Sequence, residues 1–198
     1  KIFNNFSKIV FMLLTKEKKL FLTLSFSMGL VVIASNYLVQ FPVKFNNLEN
    51  LLTYGAFSYP ITFLITDLAN RAFGKNRARH IVLVGFFIGI ILTLFVSTNF
   101  NDVISIRIAI GSATAFFVAQ NLDINIFDKL RKKIWYVAPM TSSIIGSIID
   151  TFLFFSIAFY GTDIPWFTLA LGDLTVKLIV ALIMLVPFRI FISKINDF

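Results

Sequence analysis

Six runs of apolar residues alternate with short polar breaks along the chain, near 20–40, 54–73, 80–97, 103–127, 135–160 and 166–189. Each is close to the length a bilayer core demands of a helix, about 20 residues. The breaks carry turn chemistry: Asn46-Asn47, Gly74-Lys75-Asn76, Asn99 to Asp102, Lys129 to Lys133, and Gly161 to Pro165. The pattern predicts an all-α bundle of six transmembrane helices, with an N-terminal arm at 1–19, a membrane domain at 20–190 and a tail at 191–198. The first run has a basic flank, as a signal peptide does. Its length and the lack of a small-residue cleavage site after it make it a true span instead.

Composition agrees. Of 198 residues 58% are hydrophobic and only 14% charged, too little polar surface for a soluble domain of this size. There is no cysteine, which removes disulfides, iron–sulfur clusters and thiolate metal sites. The single histidine, His80, sits beside a basic break and reads as a boundary residue, so a histidine metal cluster within one chain is not expected.

The net charge of +8 changes the picture only once it is placed. Lys1, Lys8, Lys16, Lys18 and Lys19 lie in the arm. Arg71, Lys75, Arg77 and Arg79 lie in the second-to-third connection, Lys129, Arg131, Lys132 and Lys133 in the fourth-to-fifth, and Arg189 and Lys194 near the end. With six crossings these 15 of the 18 basic residues share one side, and the opposite loops hold only Lys44. By the positive-inside rule both termini are cytoplasmic. The charge is topological and calls for no nucleic-acid partner. Trp135 and Tyr136 mark the inner interface, and Tyr54, Tyr160 and Trp166 the outer one.

The polar residues inside the runs are the most informative, since each intramembrane charge costs about 2.5–3.5 kcal/mol on insertion scales. Asn36 and Gln40 share a face of the first helix. Asp67, Asn70 and Arg71 are spaced i, i+3, i+4 on the second, where Asp67–Arg71 reads as a self-neutralising pair, an inner gate or a proton-linked pair. Asp173 and Lys177 are i, i+4 on the sixth, acid first, the better order for a helical pair. The fifth carries a stripe of Ser143, Ser147, Asp150 and Thr151 beside Gly146, and the fourth the small-residue run "GSATA" at 111–115. Both suit close helix packing. Asp123, Asn125 and Asp128 adjoin the basic break and read as a solvated helix end.

Five of the six helices thus bring strong polar groups, too many to face lipid, so the groups must face one another or a wet cavity. Helix rise places Asn36, Gln40 and Arg107 outermost, Asp150, Asp173 and Lys177 toward the midplane, and Asp67 deeper. The result is a polar shaft open to the outside, as a small-solute carrier needs. Amides donate and accept together, a carboxylate can take two parallel N–H bonds, and Tyr37 and Tyr59 offer faces for stacking. A planar heterocycle with a guanine-like edge fits. Sugars, amino acids and ions could use the same groups. An intramembrane enzyme is disfavoured, because no nucleophile–base set and no phosphate cradle is present.

Several stretches together resemble one family: "SNYLVQFPV" at 35–43, "GAFSYPITFLITDLANRAFG" at 55–74, "AQNLDINIFDKLRKK" at 119–133, "AP" at 138–139 with "DTFLFFSIAF" at 150–159, and "GDLTVK" at 172–177. They are similar to the queuosine precursor transporters, also called vitamin-uptake transporters. The resemblance implies uptake of 7-deazaguanine bases, chiefly 7-cyano-7-deazaguanine, by a multi-pass protein of the bacterial inner (cytoplasmic) membrane. It implies a six-helix fold like that of energy-coupling-factor substrate-binding subunits, working without their ATPase module. No cofactor and no obligatory protein partner are implied, and a homo-oligomer is allowed. The matching positions are Asn36, Gln40, Tyr59, Asp67, Arg71, Asp150, Asp173 and Lys177. The expected substrate contacts are Asn36, Tyr37, Gln40, Tyr59, Asp150, Asp173 and Lys177, with Asp67, Asn70 and Arg71 as gate or proton-linked residues. The runner-up is a substrate-binding subunit that borrows a separate ATPase pair for another heterocycle or vitamin.

Overall fold

The computed structural model describes residues 15–38, 41–44, 52–96 and 102–195. These form α1 (Lys16–Leu38), a short α2 (Gly55–Ser58), α3 (Pro60–Phe73), α4 (Lys75–Val96), α5 (Val103–Leu130), α6 (Val137–Phe159) and α7 (Trp166–Ile195). Among the described residues there is no strand beyond one isolated bridge, between Pro42 and Thr53. By length and apolar character α1, α5, α6 and most of α7 can each cross a bilayer. The ends of several helices overrun the sequence-based bounds. α1 begins at Lys16 and α7 runs on to Ile195, because their polar end residues continue the helix outside the apolar run.

The expected second span is broken at Pro60. Proline has no N–H to donate to a carbonyl one turn earlier, so the helix is interrupted there. Tyr59 nonetheless keeps helical angles (φ −59°, ψ −38°), so α2 and α3 follow one path. α3 alone is about 21 Å long at 1.5 Å per residue, and α2 with Tyr59 extends that to about 28 Å, close to a bilayer core.

α3 is the central helix. It packs against α1, α4, α5, α6 and α7, and nine of its 14 residues are buried. This is why it tolerates Thr62, Thr66, Asp67 and Asn70: none of them meets lipid. Its connection to α4 is a single residue, Gly74, with φ +81° and its N–H on the Asn70 carbonyl at 2.9 Å. A side chain at that positive φ would be strained, so glycine is what allows so tight a turn. The other end of α5 is capped by Asp102, whose carboxylate accepts from the N–H groups of Ile104 and Ser105.

The small residues do what their pattern predicts. A Cβ at Gly111 would meet the Phe154 carbonyl oxygen at 3.2 Å, which is how closely α5 approaches α6. One end of the bundle gathers the basic connections. There Arg77 pairs with Glu17, and Arg189 lies over the Trp135 ring at 5.1 Å. Tyr160 and Trp166 meet at the opposite end.

Gly146 lies under the buried ring of Phe63, and a Cβ there would sit 2.6 Å from Cε1. Gly146→Ala is expected to lower stability by about 1–3 kcal/mol through overpacking, read as a lower melting midpoint of the solubilised protein. Gly29→Ala, whose new methyl would find Ile88 Cγ2 at an ordinary 3.4 Å, should leave the midpoint near that of the wild type.

Candidate functional site

The helix break at Tyr59-Pro60, the middle of α6 and the N-terminal half of α7 enclose a cavity with about 380 Å³ of empty space, open solvent at its mouth included. Ser35, Asn36, Gly55, Tyr59, Ser112, Ala115, Asp150, Phe154, Asp173 and Lys177 line it. Apolar and aromatic walls with a few convergent polar groups are what a small-solute site needs.

Lys177 organises the wall. Its ammonium lies 2.6 Å from Asp173 Oδ2 and donates to Asp150 Oδ2 at 2.9 Å and to Thr151 Oγ1 at 3.2 Å. Thr151 in turn donates to Asp173 Oδ2 at 2.9 Å. The Lys177–Asp173 contact is the i, i+4 pair expected from spacing. Asp150 joins from α6, a contact that crosses between helices. All three charged groups are buried, and two carboxylates against one ammonium leave the cluster one negative charge in excess.

Both acids hold Lys177 through Oδ2, which leaves their Oδ1 atoms for something else. Asp150 Oδ1 is buried without a donor. Tyr59 closes the group, with its ring 5.1 Å from the Lys177 nitrogen and its hydroxyl beside Asp150. On the far wall the Asn36 side-chain oxygen accepts from Ser112 Oγ at 3.0 Å, and Ser35 and Ser58 share a hydrogen bond of 2.9 Å.

Of the expected substrate contacts, Asn36, Tyr59, Asp150, Asp173 and Lys177 come together here. Tyr37 does not. One residue on from Asn36 is a turn of about 100° around the helix, and its half-exposed ring packs against Phe41 instead. Gln40 lies outside the described residues. Sequence reasoning passed over Ser35, Ser112 and Phe154, and treated Thr151 as packing. Its place directly after Asp150, the partner of Lys177, was the available signal for Thr151, but Phe154 had none.

The inner residues form a separate group rather than a continuation of the shaft. Asp67 accepts from Ser142 Oγ at 3.2 Å and Ser143 Oγ at 3.3 Å. It does not pair with Arg71, a correction to the expected i, i+4 contact. Arg71 donates to the Arg131 carbonyl at 2.9 Å, and Arg131 donates back to the Arg71 carbonyl at 3.3 Å. Carbonyls at helix C-termini attract cations, and two such ends meet here. Asn70 donates to the Ile124 carbonyl at 2.9 Å, tying α3 to α5. Asp123 is fully buried and not a solvated helix end, because α5 continues to Leu130 and α3 covers it. Arg107 also leaves the shaft. It donates to the Ile157 and Tyr160 carbonyls and so caps the end of α6.

The chain matches, over residues 53–192, the model of the family described as "Putative vitamin uptake transporter". It is 35% identical to the "Probable queuosine precursor transporter" of Haemophilus influenzae and 33% identical to the "Queuosine precursor transporter" of Escherichia coli K12. In each case the match covers 87% of this chain and 86% of the relative. The chain belongs to the queuosine precursor transporter family. A Bacillus subtilis relative, also named a "Probable queuosine precursor transporter", is 26% identical over 67% of this chain. No solved structure matches. Relatives named as transporters, together with the apolar helices, make the chain a multi-pass membrane carrier and not an enzyme.

Lys177→Ala would leave two carboxylates buried without their cation. Removing one member of a buried ion cluster costs about 3–5 kcal/mol. The variant should unfold at a markedly lower temperature than the wild type, and Lys177→Ala combined with Asp173→Asn should recover part of the loss.

Proposed function

We propose that this protein imports a queuosine precursor, a 7-deazaguanine base such as 7-cyano-7-deazaguanine, across the bacterial inner membrane, with both termini cytoplasmic. The observation that carries the reading is the Asp150–Lys177–Asp173 cluster. It sets two carboxyl groups and an ammonium in the wall of a cavity that also holds the Tyr59 ring and the Asn36 amide.

The guanine edge offers a ring N–H beside an exocyclic amine, and the carboxylates at the cavity wall are acceptors for both. The ring carbonyl needs a donor, and the Asn36 amide nitrogen, whose oxygen Ser112 holds in place, supplies one. Tyr59 provides an aromatic face. The excess negative charge of the cluster favours an N–H-rich solute over an anionic one. Gathering of the basic connections at one end of the bundle supports the orientation.

A separate ATPase pair would need small residues such as Gly111, Ala113 and Ala115 on an exposed helix face, and of these only Ala113 keeps part of its surface open. Gly111 and Ala115 are buried, the first against α6. That favours a carrier that works alone.

Purified protein in liposomes should take up 7-cyano-7-deazaguanine with no added ATPase, and the same base should raise the melting midpoint more than adenine does, since a ligand specific to the folded state stabilises it. Asp150→Asn is expected to weaken binding by about ten- to a hundredfold, the worth of one charge-assisted hydrogen bond at about 1.5–3 kcal/mol. Stabilisation by adenine and 7-deazaguanine alike, or uptake only when an ATPase module is supplied, would overturn the reading.

A further inference from the structure

A second buried cluster lies apart from the substrate cavity. Asp67 on α3 and Asp123 on α5 come together beside the bond that ties Asn70 to the Ile124 carbonyl at 2.9 Å. Both residues are buried. Asp67 has the two serine hydroxyls, but neither oxygen of Asp123 has a donor, and the side-chain oxygen of Asn70, one turn from Asp67, is likewise buried without one. Three acceptor oxygens therefore crowd a site where a positive partner is missing.

The surrounding charges do not supply it. On α3, Arg71 is held at the Arg131 carbonyl. On α4, Arg79 donates to Asn125 through Nη2, with its Nε buried and without a partner, and Arg77 pairs with Glu17 of α1. On α5, Arg131 and Asp128 pair with each other. On α6 the next ionisable group is Asp150, which binds Lys177 of α7. The part of α7 facing Asp67 is apolar, with Ala181, Met184, Leu185 and Phe188.

Two neighbouring carboxyl groups cannot both stay ionised in such surroundings, and one proton between them turns one group into the donor the other lacks. We propose that Asp67 and Asp123 share a single proton, and that this is the ion that travels inward with the substrate. The second half of the proposal rests on the transport function above.

The geometry also connects this pair to the cavity. Ser143, which touches Asp67, begins a stripe on α6 that continues through Ser147 to Thr151, which touches Asp173 and Lys177. The stripe spans two helical turns, about 12 Å. Ser147 Oγ, midway, is buried with no partner of its own. A parallel ladder runs from the Tyr59 carbonyl through Thr62 and Gln120 to Thr66, beside Asp67. The α6 stripe gives a proton entering with substrate a line of hydroxyls leading inward, and the Gln120 amide in the second ladder holds the threonines beside it. The proton leaves as H⁺ when water reaches the pair from the basic end, and the two carboxylates are then ionised with Arg71 one turn away.

Infrared difference spectroscopy of the wild type at neutral pH should show a carboxylic-acid carbonyl band that is absent from Asp67→Asn and from Asp123→Asn. In liposomes, an inward gradient of about one pH unit should give about tenfold accumulation by the wild type. The two variants should lose that accumulation while still being thermally stabilised by 7-cyano-7-deazaguanine, which shows that they fold and keep the cavity. Absence of the band from the wild type, its persistence in both variants, or accumulation that follows a sodium gradient instead of pH would overturn the proposal. Absence of the band from the wild type sinks the shared proton even if neither variant folds. A wild type that shows the band yet takes up no deazaguanine would leave the shared proton supported and sink the transport function instead.

Discussion

The ammonium of Lys177 is the group on which the half of this bundle away from the basic connections depends. A bilayer interior offers no bulk water to a charge, so every ion placed there must be surrounded by its own partners. Lys177 has two carboxylates, a hydroxyl and an aromatic face, drawn from α7, α6 and the α2–α3 junction. Those contacts hold three helices at fixed separation, and the space left between them is the cavity. The charges that define the site and the interactions that fold it are the same ones. This explains how so apolar a protein carries a polar hollow near its middle.

The second constraint is the burial of α3. A helix surrounded on all sides needs no lipid-facing stripe, so its sequence can carry polar residues at every angle. Thr62, Thr66, Asp67 and Asn70 each find a partner on a different neighbour or on their own backbone: Gln120 of α5 for the threonines, the serines of α6 for Asp67, and the Ile124 carbonyl for Asn70. Polar contacts thus run the depth of the bundle along one helix, from Tyr59 to the Arg71–Arg131 exchange.

Much of this was legible in the sequence, for a definite reason. Helix number, the basic ends and the Asp173–Lys177 pair depend on local periodicity and on charge along the chain, and both can be read one residue at a time. The errors arose where two helices compete for one side chain. Asp67–Arg71 has the same spacing and order as Asp173–Lys177, yet Arg71 turns to the carbonyls at the end of α5, which spacing within one helix cannot show. Asp123 stands among charged neighbours as a surface residue would, and only its coverage by α3 makes it buried. Tyr37 adjoins Asn36 in sequence, but rotation about α1 separates them. The cluster around Lys177 drew Asp150 from another helix for the same reason that Asp67 met Asp123: proximity across the bundle is set by packing, not by spacing.

The one-residue link at Gly74 has a mechanical consequence. It has no slack, so the basic ends of α3 and α4 are held together. The reciprocal arginine bonds fasten the end of α5 to the same corner. Between α3 and α6 the polar contacts at Asp67 are long hydroxyl bonds of 3.2 and 3.3 Å. The polar ties of the bundle at this depth are thus uneven, short between α3 and α5 and long between α3 and α6.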